Sequence, residues 1–205
     1  MPAGEDEIQT QYPEEYAYIE ELAGRLAGAS SKGELAAMLA REVEDFSSFE
    51  LAVIGGRMRA EVDRLPMPYR AKVRPYFDLQ VFGMHHRLLS LHRKGAFAAM
   101  TGPIADREPF EAFCAMLPAG CFCWEEERED YPHLTGPRNT LFYYLLAAFA
   151  MFVLGEPGHP VGTPFPGGFA VEAKAGEYRC PIRDREEEVP YSICNVCPAR
   201  QAEMP

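Results

Sequence analysis

A length of 205 residues suits one domain, or one domain with a small appended module, and 47 % apolar with 12 % aromatic content excludes a disordered chain. A formal net charge of −11 and a pI near 5.0 argue against binding nucleic acid through bulk charge. The N-terminal Met-Pro-Ala-Gly-Glu-Asp-Glu lacks the basic start and apolar segment of a signal peptide, and the longest apolar run, Leu141 to Leu154, is short for a bilayer span. The expectation is a soluble cytoplasmic protein with no membrane association.

The first two-thirds reads as helices. Tyr16, Ile19, Leu22 and Leu26 recur at helical spacing between glutamates, which predicts a helix over 14–26. Ser31-x-x-Glu34 has the form of a capping box and opens a helix with Leu35, Met38, Leu39, Val43 and Phe46 on one face. Ser48 is expected to cap the next helix, which carries Leu51, Ile54, Met58, Val62 and Leu65 and ends before Pro66 and Pro68. Gly55-Gly56 within it permits close approach of a neighbour. A long helical stretch follows over 69–94, kinked or split by Pro75, with Phe77, Val81, Met84, Leu88 and Leu91 toward the core. Asp106 is expected to cap a short helix bearing Phe110, Phe113, Cys114 and Leu117 and stopped by Pro118. Residues 119–136 then read as an irregular acidic loop. Pro137 opens a helix through Leu154 that is apolar all round and therefore central.

The composition changes at Gly155. Residues 155–168 are dense in proline and glycine, and Phe169–Val171 and Tyr178–Cys180 flank a turn-like Lys174-Ala-Gly-Glu177, which predicts a short β-hairpin. The fold class is therefore mostly α: a multi-helix, bundle-like domain (1–154) with a small C-terminal cysteine-containing module (155–205) packed upon it.

Chemistry concentrates in that module. Cys180, Cys194 and Cys197 lie within 18 residues, and the Cys-x2-Cys spacing turns two thiolates onto a common centre. Zinc or a 4Fe–4S cluster needs a fourth ligand, for which Cys121 and Cys123 are the candidates; the alternative is a set of buried or free thiols. Cys114, on the apolar face of its helix, reads as core. His85 and His92 share one helix face and read as core-edge side chains. The Gly/Pro run from Glu156 to Gly168 reads as a stiff loop with no regular structure. It packs on the cysteine module and the central helix through Phe165 and Phe169, and His159 and Thr163 are its polar handles should it bind a ligand.

Residues 57–94 carry 9 basic against 3 acidic side chains, while residues 1–50 carry 3 basic against 12 acidic. Such a stripe could meet RNA or an acidic partner; pairing with the acidic N-terminal helices of the same fold is the favoured reading. The acidic runs Glu125–Glu127 and Glu186–Glu188 read as solvated loops.

The segments His159-Pro-Val-Gly-Thr-Pro-Phe-Pro-Gly-Gly-Phe169, Tyr178-Arg-Cys-Pro-Ile-Arg183 and Cys194-Asn-Val-Cys-Pro-Ala-Arg-Gln201 together resemble domain-of-unknown-function family 2115, also called uncharacterised protein family 0305. The resemblance implies a protein of methane-producing archaea and an anaerobic cytoplasm, which favours iron–sulfur chemistry. It also sets Cys180, Cys194 and Cys197 on the C-terminal cysteines of that family, and it carries no activity. The functional expectation is a metalloprotein in which zinc or a 4Fe–4S cluster pins the module to the helical body, in an adaptor or assembly role with a protein partner. An iron–sulfur enzyme or electron carrier and an RNA-binding module using the 57–94 stripe are the alternatives.

Overall fold

In a computed structural model, residues 12–123 and 136–203 are described. The acidic run at 125–127 and His133 lie outside them. Helix α1 (Pro13–Ala27) buries Tyr16, Ile19, Leu22, Ala23 and Leu26, the stripe its periodicity demands. Helix α2 (Lys32–Glu44) starts at Ser31, whose hydroxyl accepts from the Glu34 amide at 3.2 Å. The expected box is only half formed there, because the Glu34 carboxylate turns instead to the backbone amide and hydroxyl of Ser30. Helix α3 (Ser48–Arg64) carries the complete reciprocal box, built by Ser47 and Glu50. The cap is thus Ser47 and not Ser48, since only the residue three before Glu50 can exchange both bonds.

Helix α4 (Tyr69–Asp78) runs through Pro75 into a π-helical turn at Leu79–Gly83 and on into α5 (Met84–Arg93). Proline 75 therefore does not end the helix; the register changes in the next turn, where Gly83 sits tight against Leu79. Gly55 of α3 admits the Phe82 ring, which would stand 2.9 Å from any β-carbon placed there.

Helix α6 (Arg107–Phe122) corrects two expectations. Asp106 occupies the cap position with a positive φ of 52° but makes no side-chain cap bond. The helix also continues past Pro118 for another turn. The buried series Phe110, Phe113, Leu117 and Cys121 is one continuous stripe, and its packing outweighs the roughly 3 kcal/mol penalty of an interior proline. Cys121 is accordingly a core residue of a helix, and Cys123 its C-cap.

Helix α7 (Pro137–Ala148) continues as a π-helical segment, Phe149–Leu154, ended by left-handed Gly155. From Pro137 to Leu154 it is long and apolar enough, by length and composition, to cross a membrane, and 72 % of it is buried inside the protein. Its start is held by Arg138, which pairs with Glu50 at 2.6 Å and lies 4.5 Å over the Phe46 ring. Phe149 and Phe152 pack edge-on against Phe97, Phe110 and Phe113, joining the π segment to α6.

The C-terminal region holds strands β1 (Glu172–Lys174), β2 (Glu177–Cys180) and β3 (Arg200–Gln201). β1 and β2 are antiparallel with Lys174 opposite Glu177, and both turn residues, Ala175 and Gly176, have positive φ as a two-residue hairpin requires. The first strand begins at Glu172, so Phe169–Val171 belong to the approach. β3 adds in parallel to β2, with Cys180 opposite Gln201. Its two residues carry no alternation from which a strand could be read.

The Gly/Pro run is more regular than expected. Gly162 donates to the Val171 carbonyl, Val171 donates to the Thr163 carbonyl, Phe165 donates to the Phe169 carbonyl, and Gly167 and Gly168 close the tip with φ of 88° and 86°. Tyr69 donates to the Pro164 carbonyl at 3.0 Å, and Gly162 takes the Tyr76 hydroxyl against it. The arch is therefore seated mainly on α4 rather than on the central helix. Phe165 is half-buried in a small second cluster around Val171, Cys180 and Ala199, while Phe169 folds over Gly167.

Candidate functional site

Where the arch, the cysteine module and the helices meet, they enclose a cleft of about 520 Å³. Its apolar wall comes from Ile54 and Met58 of α3, Phe77 and Val81 of the α4–α5 helix, Phe142 of α7, and Ile193. Its polar groups come from elements distant in sequence: Gln80, Asn139, Tyr143, His159, Tyr191 and Cys194. Gln80 lies in the π turn, half-buried, and bridges the walls, donating to the Gly158 carbonyl at 2.9 Å and to the Tyr143 hydroxyl at 3.5 Å. Gly158 in turn donates to the Cys197 sulfur at 3.4 Å, so this one residue ties the helical body to the cysteine module. A β-carbon at Gly158 would meet Ile193 at 2.6 Å. Beyond the Gln80–Gly158 bridge lies a smaller cavity of about 320 Å³, lined by Leu79, Val161 and the Arg87–Glu156 ion pair.

Burial tunes these groups toward neutrality. His159 packs its ring edge-on against Phe165, and burial lowers its pKa below the usual imidazole value. Its ring has no hydrogen-bond partner among the described residues, and the residue lines the cleft. Burial first, then the nearby Cys194 and Cys197 thiols, holds the Tyr143 hydroxyl protonated. Thr163, the second expected handle, is excluded from a ligand role because its hydroxyl is buried and donates to the Pro160 carbonyl at 2.6 Å inside the arch.

Tyr191 was not foreseen. It sits in the left-handed region with φ of 61°, its carbonyl accepts from the Tyr144 hydroxyl at 2.7 Å, and its β-carbon presses on Gly120 of α6. A tyrosine held in a glycine-favouring conformation beside a cleft is a strained residue at a candidate site. Sequence carries no signal for it, because φ is imposed by the surrounding packing.

The six cysteines fall into three groups. Cys114 is a core residue whose thiol burial raises to about 12. Cys121 and Cys123 form a pair at the end of α6; burial raises both, Cys123 to about 11, and Cys121 also feels Cys123. Cys180, Cys194 and Cys197 form the third group. Burial raises Cys180 and lifts Cys194 to about 11, Cys194 feels both Cys197 and Cys180, and Cys180 feels Cys197. Cys194 lines the cleft; Cys180 and Cys197 share the second hydrophobic cluster behind it. Helix α6 packs against the turn Ile193–Val196 that carries Cys194. Among the described residues, however, no three His, Cys, Asp or Glu side chains converge closely enough to hold a metal ion as they stand.

His85 lies against Phe142, and His92 stacks on Phe97 near Glu44. Four arginines of the basic stripe are in ion pairs: Arg64 with Glu61, Arg70 and Arg74 with Asp63, and Arg87 with Glu156. These partners come from the stripe itself and the arch. Of the acids in the N-terminal helices, Glu42 pairs with Arg25, Glu50 with Arg138, and Glu44 lies beside His92.

The cleft and the cysteine group both fall within residues 31–202, which match a family model described as an uncharacterized protein conserved in archaea (DUF2115). The chain belongs to this DUF2115 family. Relatives named UPF0305 protein come from Methanothermobacter thermautotrophicus, 48 % identical over 61 residues, and Methanopyrus kandleri, 46 % identical over 76 residues. These alignments cover 30 % and 37 % of this chain and 39 % and 53 % of the relatives, so the chain spans about half or less of the relatives' length. No solved structure matches this DUF2115 chain.

Proposed function

We propose that the cleft between the helical body and the cysteine module is the functional site and that it binds a small molecule. One observation carries this reading. His159 and Cys194 come from the two most patterned segments of the sequence, and both line a single cavity whose size and largely apolar wall suit a ligand. Burial-shifted groups gathered in such a cavity point the same way. Replacing Ile193 by Trp puts an indole into the cleft. In a thermal-shift screen against a fragment library, wild-type protein is expected to give stabilising hits that Ile193→Trp loses. Hits that persist unchanged in that variant would place binding elsewhere and overturn the reading.

A second reading keeps Cys180, Cys194 and Cys197 as a metal group, favoured by the mutual influence of these three thiols. A zinc ion holds its sulfurs at about 2.3 Å, so the thiolates would have to close to about 3.8 Å from one another. A 4Fe–4S cluster accepts a wider spread. Either group would pin the module to the body by replacing protons on neutral thiols. Under this reading, protein prepared without oxygen contains stoichiometric zinc, or iron with acid-labile sulfide. Cys194→Ser then loses the metal, melts lower, and releases the arch at 159–168 to protease. Metal-free wild-type protein together with an unchanged variant would remove it.

A further inference from the structure

The chemistry of the cleft narrows its ligand class, an inference that rests on the cleft being a binding site. Five aromatic residues, Phe77, Phe142, Tyr143, Tyr144 and Tyr191, contribute to its lining, and flat rings are what such surfaces pack best. The inner polar groups are neutral and two-sided. Gln80 uses its amide N–H toward Gly158, which leaves its carbonyl oxygen as an acceptor. His159, kept neutral by burial, offers one donor and one acceptor with no partner among the described residues. The Tyr143 hydroxyl stays protonated and can donate.

Charge is confined to Arg57 and Glu61, one turn apart on α3, and to Glu186. The formal charges of these three lining residues sum to −1, so the wall as a whole does not favour an anion. A neutral edge that both donates and accepts satisfies Gln80 and His159 together.

We propose that the cleft takes a neutral, planar, fused-ring nitrogen heterocycle bearing a lactam-type N–H/C=O edge, with that edge on Gln80 and His159 and its ring face on the aromatic wall. The volume, about 520 Å³, suits two or three fused rings with substituents.

Four probes of one ring size test this by calorimetric titration: quinazolin-4-one (neutral, lactam edge), quinoline (neutral, no such edge), quinaldate (anion) and N-methylquinolinium (cation). Quinazolin-4-one is expected to bind most tightly. It should weaken by about fivefold to tenfold in His159→Leu and in Gln80→Leu, the size of one or two lost hydrogen bonds, while quinoline changes little. His159→Leu keeps the test intact should loss of the Gln80–Gly158 bridge unfold Gln80→Leu; melting temperatures identify that case. Preference for quinaldate or N-methylquinolinium, or binding indifferent to His159→Leu, would overturn the ligand class and leave the cleft as a site. Absence of saturable binding by all four rings, together with fragment hits that survive Ile193→Trp, would overturn the cleft reading itself.

Discussion

At the residue scale, glycines decide how closely the elements meet. Gly33 of α2 lies so near the Phe97–Met100 turn that a β-carbon would stand 2.3 Å from the Phe97 carbonyl oxygen and 2.9 Å from that of Met100. Both obstacles are backbone, and the Gly33 amide also donates to Met100 at 2.9 Å, so neither can give without breaking the contact. Gly33→Ala is expected to lower stability by about 2–3 kcal/mol, read from urea unfolding. At Gly158 the obstacle is only the tip of Ile193, so Ala there should cost less and act mainly by narrowing the cleft. Single residues were also where sequence reading was weakest. Gly55 was legible as a packing glycine because it sits inside an apolar helical stripe. The strain at Tyr191 and the self-contained hydroxyl bond of Thr163 were not, because each depends on a carbonyl or a neighbour that only the folded chain supplies.

At the element scale, the helices were legible wherever a 3.6-residue stripe ran uninterrupted, as in α1 and α2, or where the segment was apolar all round, as in α7. Proline was the source of error. Pro118 suggested a stop, yet the stripe Phe110–Phe113–Leu117–Cys121 carries α6 beyond it, and this moved Cys121 from a loop into the core. The rule failed because tertiary burial of one more turn is worth more than one lost backbone bond. The hairpin was legible from its Ala-Gly turn, whereas β3 was not, since it pairs in parallel with a strand twenty residues away. The central element gives a sharp test. Leu145 and Phe149 are almost wholly buried in α7 and its π extension. Leu145→Ala should cost about 2–5 kcal/mol and Phe149→Ala about 3–5 kcal/mol in denaturant unfolding; changes under about 1 kcal/mol would show that this helix is not the structural centre.

At the scale of the whole molecule, folding keeps thiols neutral. Cys194 and Cys123 are raised to about 11 and Cys114 to about 12, against an ordinary value near 8.5 in the unfolded chain. Between these values the folded state holds more protons than the unfolded one, so stability is full below about pH 8.5 and falls as pH rises through 9 toward 11. Unfolding free energy measured across that range should decline, and less steeply in Cys114→Ala. Metal bound at the cysteine group would remove the contribution of the Cys180 and Cys194 thiols, so adding zinc to the same titration distinguishes thiol from thiolate.

The same long-range assembly that gathers those thiols also joins the arch, the cysteine turn and α3, α4 and α7 around one cleft, and no local pattern announces it. Its function is read most directly by soaking crystals of the protein with a fragment library. The expected result is density for fragments in the cleft, in contact with Gln80, His159 and the Ile193–Cys194 wall. Fragments bound repeatedly elsewhere, with the cleft left to solvent or filled by the protein's own side chains, would contradict the account.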